Sequence, residues 1–293
     1  MERLLIIGCG DIALRAIPLL KQRYRVFALV RNRAYCAALR ELGVMPIPGD
    51  LDHRTRLARI AGLADTVLHF APPSAGGFAA TDTRTRNLLA ILSQGILPKR
   101  FIYISTSGVY GDCGGAIVAE THPLKAVSLR AQRRVDAEQQ IRNWAKHHGV
   151  HASILRVPGI YAADRLPLDR LRAGTPAIVQ EEDSYTNHIH ADDLARIVIA
   201  ALRNAKPNRI YHASDDSQLK MGDYFDAVAD AHHLPRPSRL PRAQIECLVS
   251  PMLWSFMNES RRLTNVRMKR ELKVKLRYPD VRSLMQEIIF DKS

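Results

Sequence analysis

The chain has 293 residues, 46% of them hydrophobic and 25% charged, a globular composition with no internal repeat or low-complexity tract. That length suits one large α/β domain or a domain with an appendage, and no apolar run is long enough to span a bilayer. The net charge of +14, from 43 Lys and Arg against 29 Asp and Glu, directs attention to anionic partners.

Leu4 to Ile7 is a continuous apolar run, as expected of a parallel strand buried on both faces. The residues Gly8-Cys9-Gly10-Asp11-Ile12-Ala13 follow at once. Gly8, Gly10 and Ala13 match the Gly-x-Gly-x-x-Gly/Ala spacing: a tight turn, a close approach for a pyrophosphate, and close packing of helix on strand. A helix over Ile12–Lys21 would aim its first N–H groups at the phosphates. The segment Arg25–Val30 reads as the second strand and ends in Arg31-Asn32-Arg33. A fold selecting NAD places a carboxylate there; a guanidinium suits a ribose 2′-phosphate, so Arg31 points to NADP, with NAD the second choice.

A helix from Ala34, stopped by Gly43, leads to a third strand, Met45 to Leu51. Asp50 is placed to accept from the adenine amino group, with Leu51 against the ring. A helix over Arg54–Ala61 precedes a fourth strand, Asp65–Pro73, whose Phe70, Ala71 and Pro72 lie beside the expected pyrophosphate. A helix over Thr81–Gln94 precedes a fifth strand that empties into Ser105-Thr106-Ser107-Gly108-Val109-Tyr110-Gly111. Strand and helix alternate at short spacing, the pattern of a doubly wound parallel sheet. Ligands of such sheets sit beyond the carboxyl ends of the strands, where Thr106 and Ser107 fall. Cysteines 9, 36, 113 and 247 show neither metal spacing nor a disulfide framework. Together with strand residues beginning at Leu4, which leave no room for a leader, they predict a reducing cytoplasm.

With Ile154-Leu155-Arg156-Val157-Pro158-Gly159-Ile160-Tyr161, Asn187-His188-Ile189-His190-Ala191-Asp192-Asp193 and Tyr211-His212-Ala213-Ser214-Asp215-Asp216, these motifs resemble the extended short-chain dehydrogenases/reductases. That group contains the NAD-dependent epimerases and dehydratases, and the likeness is greatest to its atypical, YeeZ-like branch. The resemblance spans nearly the whole chain. It implies a Rossmann domain over 1–160 onto which 186–215 fold back, and a small, mostly helical substrate lobe from 161–185 and 216–293, the latter with two helical stretches. It also implies a cytoplasmic oxidoreductase of small molecules, Pro158 beside the nicotinamide, and a homodimer pairing the helices near Thr81–Gln94 and Arg130–Lys146. That pairing would bring arginine-rich copies together unless Asp136 and Glu138 compensate.

The family moves a proton with a Tyr whose partner is a Lys four residues later, beside a Ser or Thr. Thr106, with Ser107 as neighbour, holds the Ser/Thr place. Setting Glu138 on the Glu that follows the family Lys puts Arg130 in the Tyr place and Arg134 in the Lys place. Arginine stays protonated and cannot shuttle a proton near neutral pH. Arg130 and Arg134, at i and i+4, are therefore expected to hold an anion beside Thr106, with Arg134 also reaching the cofactor ribose. Tyr110, Tyr161 and Tyr185 are other proton donors near this place. His188, His190 and the following aspartates read as structural contacts tying the late segment to the sheet, and no metal is expected. The substrate is then a small, anionic metabolite. A rival reading is an inactive dinucleotide-binding sensor or scaffold. A nucleic-acid binder rests on charge alone, because the basic run from Arg261 to Arg277 lacks interleaved aromatic residues and reads as a solvated helix face.

Overall fold

The computed structural model describes residues 1–74, 76 and 79–290. Seven parallel strands form its sheet: β1 (Glu2–Ile7), β2 (Tyr24–Val30), β3 (Met45–Pro48), β4 (Thr66–His69), β5 (Arg100–Thr106), β6 (His151–Val157) and β7 (Arg209–His212). Their order is β7-β6-β5-β4-β1-β2-β3, so the chain reverses direction across the sheet between β1 and β4. Alternate residues of β1 enter different cores. Leu4 and Ile6 pack under α1 (Asp11–Leu20), while Leu5 and Ile7 face α3 (Thr83–Leu92). Both faces are covered, which is why the strand reads as an unbroken apolar run.

Between α1 and α3 lies α2 (Tyr35–Glu41), followed by the 3-10 helix Arg54–Ile60. The latter was expected as an α-helix. Its buried residues are Leu57 and Ile60, three apart, a spacing that the tighter helix satisfies fully. The third strand stops at Pro48, leaving Gly49–Leu51 as a turn at the rim. The helix before β5 starts at Thr83 because Asp82 caps it, accepting from Arg84 N at 3.1 Å and Thr85 N at 3.4 Å.

The long helix α4 (Leu129–His148) is capped by Ser128 and ends at Gly149, whose φ of 68° a side chain would strain. After it come α5 (Leu168–Arg172), α6 (Ala191–Asn204) and α7 (Met221–Ala231). The C-terminal part then breaks into α8 (Arg242–Leu248), α9 (Pro251–Met257), α10 (Val266–Leu272) and α11 (Val281–Phe290). Two helical stretches were expected there. Pro241 and Pro251 instead start separate short helices, as proline favours. The helix α6 lies on α1's side of the sheet. Its Asp193 carboxylate accepts from Arg277 N at 3.0 Å and Tyr278 N at 2.7 Å, fastening the late segment to the sheet.

The basic run does not form one helix face. Arg261 turns inward, Arg262 lies in a two-residue strand paired with Ile117, and Arg267 and Lys269 stand 3.5 and 2.5 Å from Glu120 and Asp216. The outward faces of α3 and α4 carry Arg86, Gln139, Arg142 and Lys146. Asp136 is partly buried and accepts from Asp82 N at 2.7 Å, and Glu138 is buried and taken up by Arg156. No helix among the described residues is long and apolar enough to cross a membrane.

Candidate active site

Two cavities open at the carboxyl edge of the sheet. The first, about 360 Å³, is lined by Gly8, Cys9, Gly10, Arg31, Asp50, Leu51, Phe70, Ala71 and Pro72, all expected, and by Asn32, Tyr35 and Arg84, which were not. Gly8 has φ +91°, and a Cβ there would lie 2.5 Å from Ala71 N. Gly10 has φ −93° and open space where its Cβ would project. The helix α1 begins at Gly10 without a side-chain cap. Its first N–H groups are left without a side-chain partner and face the open space above Gly10.

Asp11, Ile12 and Ala13 do not line this cavity. Ile12 and Ala13 are buried beneath α1, and only their main chain can serve a phosphate. The Asp11 carboxylate accepts from Arg15 Nε at 2.9 Å and Arg165 Nη1 at 2.7 Å, which hold it below its usual pKa against the cost of burial. Cys9 remains a thiol, pushed up to about 11 by burial. Arg84 is held by Asp52 through bonds of 2.8 and 2.6 Å and donates to Pro72 O at 3.1 Å, joining the turn after β3 to that after β4. The sequence could not signal this, because Asp52 and Arg84 stand 32 residues apart.

The second cavity, about 520 Å³, is lined by Thr106, Ser107, Arg130 and Pro158, together with Arg170, Tyr185, His188, Phe225, Phe256, Glu259 and Arg261. Thr106 ends β5, and its Oγ1 accepts from Gly108 N at 3.2 Å. The hydroxyl proton is left to point at a ligand oxygen. Ser107 is buried beside it.

Arg130 and Arg134 do not converge as expected. Arg134 lines neither cavity: its Nη1 donates to Tyr103 OH at 2.9 Å and to Ile104 O at 2.6 Å. Tyr103 projects from β5 into the core under α4, and its hydroxyl together with the Ile104 carbonyl absorbs the Arg134 cation. Arg130, one turn earlier, reaches the second cavity with its guanidinium 4.2 Å from the centre of the Phe256 ring.

The other tyrosines are placed differently from one another. Tyr110 OH accepts from Arg156 Nη1 at 2.6 Å and faces His212 Nε2 at 2.6 Å. His212 Nδ1 donates to Thr264 O at 2.8 Å, so Nε2 is the acceptor of the Tyr110 proton. Burial raises the Tyr110 phenol to about 12, and Tyr161 is also raised by burial. Neither lines the cavity, whereas Tyr185 does. His188 lines it too, with its ring 4.3 Å from that of Tyr224 and its pKa lowered to about 4 by burial. His190 is turned away to cap α6, accepting from Asp192 N at 3.2 Å.

Comparison with known proteins bears on this geometry. The model of the NAD dependent epimerase/dehydratase family matches residues 15–214. A human dTDP-D-glucose 4,6-dehydratase is 22% identical over 241 residues, 73% of this chain and 69% of that protein. The structure of a functionally unknown conserved protein from Silicibacter pomeroyi DSS superposes with a TM-score of 0.80 and 28% identity, over 99% of both chains. A dTDP-glucose 4,6-dehydratase double mutant from Streptomyces venezuelae, with NAD bound, has a TM-score of 0.78 and 21% identity. The alignment covers 99% of this chain and 97% of that one, and the likeness concerns the fold.

Proposed function

The chain belongs to the NAD-dependent epimerase/dehydratase family, and from that premise we propose a nicotinamide-dinucleotide-dependent oxidoreductase that prefers NADP(H) and acts on a small anionic metabolite. What carries this reading is the presence of two cavities with different chemistry at the carboxyl ends of strands of one sheet, β4 and β5 being paired neighbours. One has a glycine seat for a pyrophosphate; the other holds the Thr106 hydroxyl beside arginines.

The nicotinamide supplies or accepts hydride when bound. The residues Gly8, Gly10 and the start of α1 would hold its diphosphate, Arg31 and Asn32 the adenosine ribose, and Pro158 would border the reacting ring. Thr106 donates to the reacting oxygen and fixes its position. Arg130 cannot give up its proton, so it binds charge where the family places an acid–base residue. The proton passes through a lining group that can give and take one, and Tyr185 and His188 are the candidates. Four free cysteines suit a reducing cytoplasm.

The test is consumption of NADPH, followed at 340 nm, across a panel of small keto acids, with the Thr106→Val variant as control. Thr106-dependent turnover supports the proposal. Retention of NADPH with no turnover on any member favours the sensor or scaffold, a second reading supported by the arginines at 130 and 134.

A further inference from the structure

The walls of the second cavity carry more positive charge than they neutralise. Arg130, Arg170 and Arg261 face one lining carboxylate, Glu259. Glu259 is already engaged, with Oε2 2.8 Å from Arg261 Nη1. Glu259 acts on Arg130 only by longer-range attraction, as Asp183 does on Arg170, and neither offsets the lowering by burial. Asp183 is itself committed, accepting from Gly222 N at 2.7 Å and Ser184 N at 2.8 Å, with Arg239 Nη1 3.7 Å away.

Both remaining cations rest on aromatic rings. The Arg130 guanidinium lies 4.2 Å from the centre of Phe256, and that of Arg170 lies 4.0 Å from Phe225. Stacking supports the face of a guanidinium and leaves its edge N–H groups for a planar anion. Arg170 gives one long bond, 3.3 Å, to Pro176 O and comes within 3.5 Å of Met257 Sδ. Burial lowers both arginines, Arg170 to about 10. Arg170 is a half-buried cation with no close counter-ion, a cost that a ligand anion relieves, whereas Arg130 is exposed and offers its charge at the mouth of the cavity.

We propose that Arg130 and Arg170 form a two-point clamp for a short diacid, and that this pair, rather than Arg130 with Arg134, selects the ligand of the second cavity. The proposal rests on reading that cavity as the substrate site. Arg130 and Thr106 line the same cavity, so the acidic group that Arg130 holds and the oxygen that Thr106 addresses belong to one ligand. The class is thus a hydroxy or keto acid bearing a second acidic group at the Arg170 end.

Isothermal titration of the full chain saturated with NADPH tests this, using acetate, malonate, succinate, glutarate and pyrophosphate as probes. At least one diacid is expected to bind about tenfold or more tightly than acetate, and Arg130→Gln and Arg170→Gln each to remove about tenfold of that affinity. NADPH affinity, measured on the same samples, stays within about twofold in both variants, because neither residue lines the first cavity. A second readout comes from Arg170→Met, which keeps an apolar stem over Phe225 and removes the unneutralised charge. Its Tm without ligand is expected above that of wild type, and the diacid that raises the wild-type Tm leaves it unmoved. Diacids binding no better than acetate, pyrophosphate outcompeting every diacid, or glutamine variants binding like wild type would each overturn the clamp. Should NADPH bind while no diacid does, the clamp fails and the dinucleotide reading survives; failure of NADPH to bind defeats the dinucleotide reading instead.

Discussion

The Arg156 guanidinium holds the Glu138 carboxylate through bonds of 3.1 and 2.7 Å where both side chains are about 97% buried. This pair joins β6 to the middle of α4 and sets the roll of the helix. Arg134, one turn earlier, is thereby directed onto Tyr103, and Arg130 emerges at the cavity. Removing one partner leaves the other charged and buried. Glu138→Ala is expected to destabilise the fold by about 3–5 kcal/mol, whereas Glu138→Met combined with Arg156→Met recovers most of that loss. Urea unfolding midpoints check both. A loss under about 1 kcal/mol in the single variant would mean the pair does not hold α4.

The cofactor prediction concerns Arg31. It follows β2 at the place where a fold selecting NAD carries a carboxylate, and Asp52 reaches it only by longer-range attraction, so NADP(H) is expected to bind about tenfold more tightly than NAD(H). Arg31→Asp reverses the order. Calorimetry on wild type giving equal affinities would refute this.

A pH dependence follows from Asp215. Burial raises its carboxyl to about 7, although Ser217 bonds lower it in part. The unfolded chain releases this proton near pH 4, so between about pH 4 and 7 the folded state binds more protons than the unfolded one. The contribution of Asp215 is therefore fully favourable below about pH 4 and declines as the pH rises to 7, by at most about 4 kcal/mol. Asp215→Asn should unfold with a shallower loss of stability from pH 5 to pH 8 than wild type. Parallel curves for the two proteins would show that Asp215 is ionised in the fold.

The resemblance implies a homodimer through α3 and α4, but their outward faces are polar and basic, with Asp136 and Glu138 turned inward. A monomer is expected by light scattering at micromolar protein and physiological salt. A dimer under those conditions that is lost on Arg142→Glu would place the contact on α4 after all.

The first cavity was largely legible in the sequence because its determinants are local. Gly8 and Gly10 turn the chain within three residues, and Ile7 and Phe70 sit at the ends of adjacent paired strands. The second cavity was legible at Thr106, Ser107, Pro158, Arg130 and Tyr185. Arg170, Phe225 and Phe256 come from three separate helices, and their convergence depends on how the lobe packs. Spacing on α4 correctly puts Arg130 and Arg134 one turn apart. It carries no information about Tyr103, 31 residues earlier, which takes up the second cation.

The central claim is that the glycine turn after β1 seats a nicotinamide dinucleotide, and Gly10→Ala tests it most directly. The backbone of Gly10 is one any residue adopts, and the added Cβ meets no protein atom within 4 Å, so the fold should keep its Tm. The same methyl occupies the space assigned to the pyrophosphate. Fluorescence titration should show NADPH binding to wild type and a loss of about tenfold or more in Gly10→Ala at unchanged Tm. Undiminished NADPH affinity in that variant, or no binding to wild type, would contradict it.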